Sequence, residues 1–126
     1  MEKGKTGYKQ KLGALGERTA VQYLLKTADY RVIARNYTCF LGEIDVVAQD
    51  QETVVFVEVR SGTTPFAGWA EESIGYRKQK KLRQLAAYYL AEKGWQNRAV
   101  RFDVVIVLFT TKDFCVEKIK LIKNAF

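Results

Sequence analysis

The stretch from Gly42 to Arg60, GEIDVVAQDQETVVFVEVR, constrains this chain more than any other. Two apolar runs flank a polar turn, so the segment reads as a hairpin of strands Glu43–Ala48 and Thr53–Arg60 joined by Gln49-Asp50-Gln51-Glu52. In the second strand Val54, Phe56, Glu58 and Arg60 share one face, and Val55, Val57 and Val59 the other. Apolar residues on both faces mark a central strand. Asp45, Glu58 and Arg60 sit inside these runs, where a charge is costly unless it is paired or binds something.

The surrounding segments supply what a central hairpin needs. Residues 1–10 are polar, glycine-bearing and aperiodic, and are expected to form a flexible basic arm. From about Leu12 to Lys26 the pattern is helical, with Gly13, Ala20, Val21 and Leu24 on one stripe. Glu17 lies within that stripe, so either it faces the core and needs a partner or the helix is rotated and it meets solvent or a lysine. Tyr30–Tyr37 reads as a first strand with a turn over Thr38–Gly42, and Ser61–Gly75 as a loop in which Phe66 and Trp69 serve as an anchor or a lid. A second helix is predicted over Arg77–Lys93, ended by Gly94. Val100–Phe109 is an unbroken apolar strand, and Cys115–Ile122 an alternating one at an edge. Helix, three strands, helix, two strands predicts an α/β fold with a mixed five-stranded sheet flanked by helices, in a single domain over residues 1–126.

Composition narrows the chemistry. The chain has no histidine, which excludes a Ser-His-Asp or Cys-His triad and the usual histidine-bearing zinc sites. Cys39 and Cys115 lie in no CxxC pair and are read as free thiols of a cytoplasmic protein. No apolar run reaches the roughly 20 residues of a membrane span. Lys and Arg number 21 against 14 acids. They cluster as Lys3, Lys5, Lys9 and Lys11, as Arg77, Lys78, Lys80, Lys81 and Arg83, and as Lys118, Lys120 and Lys123, which is the footprint of a phosphate-backbone partner or of a solvated basic surface. On the second helix Leu82, Leu85, Ala86, Tyr89 and Leu90 form the core stripe. Arg77, Lys81, Gln84 and Tyr88 form a stripe almost opposite, suited to phosphates and sugars.

The hairpin allows the Asp45 and Glu58 carboxylates to converge. Their repulsion is relieved by protonation or by a divalent cation, and a few carboxylate oxygens with open positions for water and phosphate are what Mg²⁺ prefers. Such an ion can polarise a phosphodiester and generate a nucleophilic water, with a neighbouring cation stabilising the developing charge.

An aspartate on one strand and Glu-x-basic on the next resembles the PD-(D/E)xK nuclease superfamily. The segments GALGERTAVQYL, YRVIARNY, GEIDVVAQD, VVFVEVR, a KQKKL helix start, RFDVV and a closing NAF resemble, in order and over nearly the whole chain, the YraN-like family of small predicted endonucleases. The resemblance implies a restriction-endonuclease-like αβββαβ core similar to Holliday junction resolvases. It implies Glu17, Asp45 and Glu58 as ligands of Mg²⁺ or Mn²⁺, joined by the Val59 carbonyl, with Arg60 completing the catalytic set. Nucleic acid, DNA foremost, is the implied substrate, bound by Arg77, Lys78, Lys80, Lys81, Arg83, Gln84 and Tyr88, the last two resembling the Q-x-x-x-Y of RecB-like nucleases. A homodimer is possible, since junction-cutting relatives cut two strands. Arg60 departs from the family lysine: it can clamp a phosphate but cannot act as a base, because it stays charged. Lys78 and Lys81 are candidate substitutes, and a histidine expected before NAF is lacking.

The sequence admits two further readings: a nucleic-acid-binding module in which Arg60 pairs with Glu58 and fills the site without metal, and an adaptor for another nucleic-acid enzyme.

Overall fold

A computed structural model describes residues 2–64, 68, 72 and 74–126, with side chains from Gln10 onward. Phe66 and Trp69, the expected anchor or lid, lie outside the described residues. The elements are α1 (Glu2–Lys26), β1 (Arg31–Cys39), β2 (Gly42–Asp50), β3 (Thr53–Thr64), α2 (Tyr76–Lys93), β4 (Val100–Thr110) and β5 (Val116–Ile122). The strands form one mixed sheet in the order β1-β2-β3-β4-β5, with β3 at its centre. Adjacent strands are antiparallel except β3 and β4, whose connection through α2 makes them parallel from Val54↔Val100 to Thr64↔Thr110. This is the α/β order expected from the hydrophobic pattern.

Several details differ from expectation. Helical backbone begins at Glu2, not Leu12, so α1 runs through the residues read as a flexible arm. Once a helix is nucleated and anchored, each further residue adds a hydrogen bond without a new nucleation cost, which offsets the penalty of about 1 kcal/mol for each of Gly4 and Gly7. The β2–β3 turn is tighter: Asp50 pairs with Thr53, and Gln51 adopts a left-handed φ of 56°. Finally, β3 continues past Arg60 to Thr64 because β4 offers a parallel partner along that whole length.

Each face of the sheet is covered by one described helix. Ala20 and Leu24 of α1 pack on Val46, Ala48, Val55, Val57, Val105 and Val107. Leu82, Leu85, Ala86 and Tyr89 of α2 pack on Ile44, Val47, Val54, Phe56, Val104 and Ile106. Gly94 ends α2 in the left-handed conformation at φ 71°, as glycine at that position predicts.

The buried stripe of α1 is Gly16, Ala20, Leu24: Ala20 and Leu24 are buried as expected, while Gly16 takes the place expected of Gly13 and Val21 is only half-buried. Gly16 is where the helix touches the sheet: a Cβ there would stand 1.7 Å from Ser61 Oγ and 2.9 Å from Ser61 Cβ. Gly16→Ala gains about 1 kcal/mol of helix propensity but overpacks this contact, at about 1–3 kcal/mol. A net loss of stability is expected in urea denaturation, recovered only in part when Ser61→Ala removes the hydroxyl, because the Ser61 Cβ that remains still stands 2.9 Å from the new methyl; an unchanged Gly16→Ala would mean that α1 does not approach this closely.

At the end of the sheet marked by the β2–β3 turn, Asp103 is fully buried on the α1 side. Tyr30 Oη donates to it at 2.6 Å, Arg101 pairs with it at 2.9 Å, and the Asn124 amide donates at 3.0 Å. Arg101 also bonds Asp50 of the turn at 3.0 Å. Burial, then its bond to Asp103, raises the Tyr30 phenol well above its ordinary value, so it stays a donor. Among the described residues no helix is long and apolar enough to cross a membrane.

Candidate functional site

The opposite end of the β2–β3 hairpin opens into a cleft. The paired ladder stops at Val46↔Val57, and Ile44 and Val46, two residues apart, lie in cores on opposite sides of the sheet. β2 is therefore irregular at Asp45. Its carboxylate turns onto β3 and accepts the Val59 amide proton at 2.8 Å. Burial, then repulsion from Glu58, pushes Asp45 up to about 7 from an ordinary 3.8; Glu17 and Glu43 add to the push, and the Val59 amide opposes it.

The cleft holds about 410 Å³. Gly42, Glu43, Asp45, Glu58 and Val59 form its sheet wall, and Lys78, Lys81, Leu82 and Leu85 of α2 its helix wall. Three carboxylates thus face two ammonium groups. Gly42, at φ 140°, takes a backbone conformation that side chains rarely adopt, and it lies beside the Lys81 and Leu85 side chains. Lys78 Nζ pairs with Glu58 at 3.3 Å; Glu58 is 14% exposed and Lys78 55%.

Glu17 reaches this end of the sheet from α1. It is half-buried at the margin of the helix's core stripe, which resolves its awkward position. Its carboxylate accepts Asn36 Nδ2 at 2.7 Å, and the same nitrogen donates to Glu43 at 3.0 Å. Asn36 holds this bridge from a left-handed φ of 51°, which asparagine tolerates better than most residues. Glu43 and Asn36 are thus part of the site although sequence reasoning passed over them. The signal for Glu43 was its spacing of two from Asp45; the Asn36 bridge has none.

The expected three-acid cage is not assembled as such. Among the described residues no group of three or more acids, cysteines or histidines converges closely enough to hold a metal ion. Glu17 is turned toward Asn36, leaving Asp45 and Glu58 as the carboxylates on the cleft wall nearest one another in register. A pair of neighbouring carboxylates of which one, Asp45, is under repulsion fits Mg²⁺ or Mn²⁺, since Mg²⁺ usually takes one or two carboxylates and completes its shell with waters and phosphate oxygens. Arg60 Nη1 donates to the Glu72 carbonyl, tying β3 to the segment before α2.

The predicted nucleic-acid residues divide. Lys78 and Lys81 line the cleft. Arg77, Lys80 and Gln84 are exposed on α2 without lining it. Arg83 lies on another flank, its guanidinium 5.2 Å from the Phe102 ring centroid and 5.5 Å from that of Phe126. Tyr88 packs edge-on against Phe40 at the tip of the β1–β2 turn.

The model of a family described as "Uncharacterised protein family UPF0102" matches residues 16–107, which include every acid named above. A UPF0102 protein of Moorella thermoacetica is 43% identical over 118 residues, spanning 94% of this chain and 97% of its own. One from Pelotomaculum thermopropionicum is 45% identical over 115 residues, 91% and 94% of the two chains. One from Clostridium acetobutylicum is 38% identical over 117 residues, 93% and 94%.

Proposed function

The chain belongs to the UPF0102 family, and from the site its fold builds we propose that it is a divalent-metal-dependent endonuclease acting on DNA or structured nucleic acid. The observation that carries this reading is Asp45, held up to about 7 beside Glu58 in a cleft whose other wall bears Lys78 and Lys81. Carboxylates crowded until one keeps its proton form a site in which a cation replaces that proton.

In this reading Asp45 and Glu58 hold Mg²⁺ or Mn²⁺, and Glu17 and Glu43, bridged by Asn36, add negative charge behind them. The ion supplies Lewis-acid polarisation of the phosphodiester and a nucleophilic water. Lys81 and Lys78 bind and orient the phosphate chain along the cleft. Lys78 also takes the place beside Glu58 that the family lysine would occupy in sequence, while Arg60, held by the Glu72 carbonyl, contributes fixed positive charge.

Incubation with labelled single-stranded, duplex and branched DNA tests the reading. Cleavage with Mg²⁺ or Mn²⁺ that a chelator stops is expected; bound but intact DNA on all three substrates would falsify it. One observation favours a second reading, a nucleic-acid-binding module or adaptor with no cleavage: the Glu58–Lys78 pair at 3.3 Å gives Glu58 a counterion from the chain itself. Calorimetric titration with Mn²⁺ separates the two. The nuclease reading expects saturable binding that releases a proton near pH 6 and displaces Lys78; the binding-module reading expects no heat.

A further inference from the structure

We propose that Phe40 and Tyr88 form a stacking platform for an unpaired nucleobase, so that the substrate is nucleic acid with single-stranded character beside the cut rather than uninterrupted duplex. This rests on the nuclease or nucleic-acid-binding reading above and names its substrate class.

Phe40 is 80% exposed at the tip of the β1–β2 turn. A single exposed apolar residue needs no explanation, but this one is held in place. The Tyr88 ring meets it edge-to-face, with centroids 5.2 Å apart and planes at 81°. The turn itself is short, with Cys39 paired to Gly42 across it at the end of the β1–β2 ladder. The ring is therefore positioned by a neighbour and a rigid hairpin while most of its surface remains open to solvent.

Its location sets the ligand. Phe40 is two residues, or about 7 Å of backbone, from Gly42 in the cleft wall. Tyr88 is two helical turns along α2 from Lys81, on the same side of the helix. A Cβ on Gly42 would stand 3.5 Å from Lys81 Cε, so the Lys81 side chain runs beside Gly42 and the platform and the ammonium group stand at one rim. An open π-face beside a cation bordering a cleft is how sequence-tolerant single-strand binding is built: the basic group takes the backbone and the ring takes the base. In continuous duplex the base faces are covered by their neighbours, so the ring can engage only a strand end, gap, flap or single strand.

Binding is measured by fluorescence anisotropy without divalent metal, so that cleavage plays no part, on a blunt duplex and on the same duplex carrying a short 3′ or 5′ flap. The wild-type protein is expected to prefer the flapped substrates. Phe40→Ala is expected to weaken flap binding about tenfold or more, with duplex binding changed less than twofold, and Phe40→Trp to restore it. A 2-aminopurine placed in the flap is expected to be quenched by the wild type and not by Phe40→Ala. Equal loss on both substrates, or no loss on either, overturns the platform while leaving nucleic-acid binding intact. Failure of the wild type to bind either substrate overturns the functional reading itself. Thermal unfolding of Phe40→Ala is expected to match the wild type, because the ring buries little.

Discussion

Asp45→Asn is expected to abolish divalent-dependent cleavage while making the protein more stable at pH 8. Removing only the outer partners of a metal site commonly costs about 10–100-fold, so loss of a ligand carboxylate should exceed two orders of magnitude. The stability gain follows from the linkage. The folded-state value of Asp45 is about 7 against 3.8 for an ordinary aspartate. Between those pH values the native state holds a proton that the unfolded chain has released. Asp45 therefore costs nothing below about pH 4, costs progressively more as pH rises to 7, and costs a constant amount above that. A shift of this size corresponds to about 4 kcal/mol at 1.36 kcal/mol per unit, and screening at the cleft mouth should leave roughly 2 kcal/mol. Asparagine keeps an oxygen for the Val59 amide and removes the charge. Thermal melts should show the variant several degrees more stable at pH 8 and level with the wild type at pH 4; equal melting temperatures throughout would mean that Asp45 is not under electrostatic pressure. In the wild type, Mn²⁺ should recover the same stability at pH 8, because the ion answers the repulsion that the substitution removes.

The other large effect lies at the far end of the sheet. Asp103→Ala should destabilise the protein by about 3–5 kcal/mol, because Arg101 is left half-buried without its closest carboxylate, and Tyr30 and the Asn124 amide lose their acceptor. Against a total of about 5–15 kcal/mol this brings many domains near unfolding and lowers the melting temperature by roughly 10–20 °C. Asp103→Asn, which retains an acceptor oxygen, should lose less. Urea denaturation of the two variants provides the comparison; a loss below about 1 kcal/mol for alanine would show that the network is not what ties the start of β1, the β2–β3 turn and the C-terminal segment together. Asp45 and Asp103 are thus both acids in apolar strands with opposite expected effects: one has repulsive neighbours and the other attractive ones.

That contrast measures what could be read in advance. The hydrophobic pattern carried the element order, the central place of β3 and the division of its side chains, since Val54 and Phe56 face α2 and Val55 and Val57 face α1 as the period of two requires. It also marked Asp45 and Glu58 as anomalous. It could not distinguish Asp103, which sits in an equally apolar strand, because its partners Tyr30 and Asn124 are remote in sequence. The placement of Lys78 beside Glu58 depended on where α2 crosses the sheet.

The sequence by itself determined the alternation of strands and helices and the positions at which charge interrupts an apolar face, because side-chain period and the cost of burying charge are local properties. Only the tertiary structure decided which charges meet. It turned Glu17 toward Asn36 and Glu43, set Lys78 on Glu58, and left Asp45 short of positive charge, because distances between side chains on different elements follow from how helices pack across a twisted sheet.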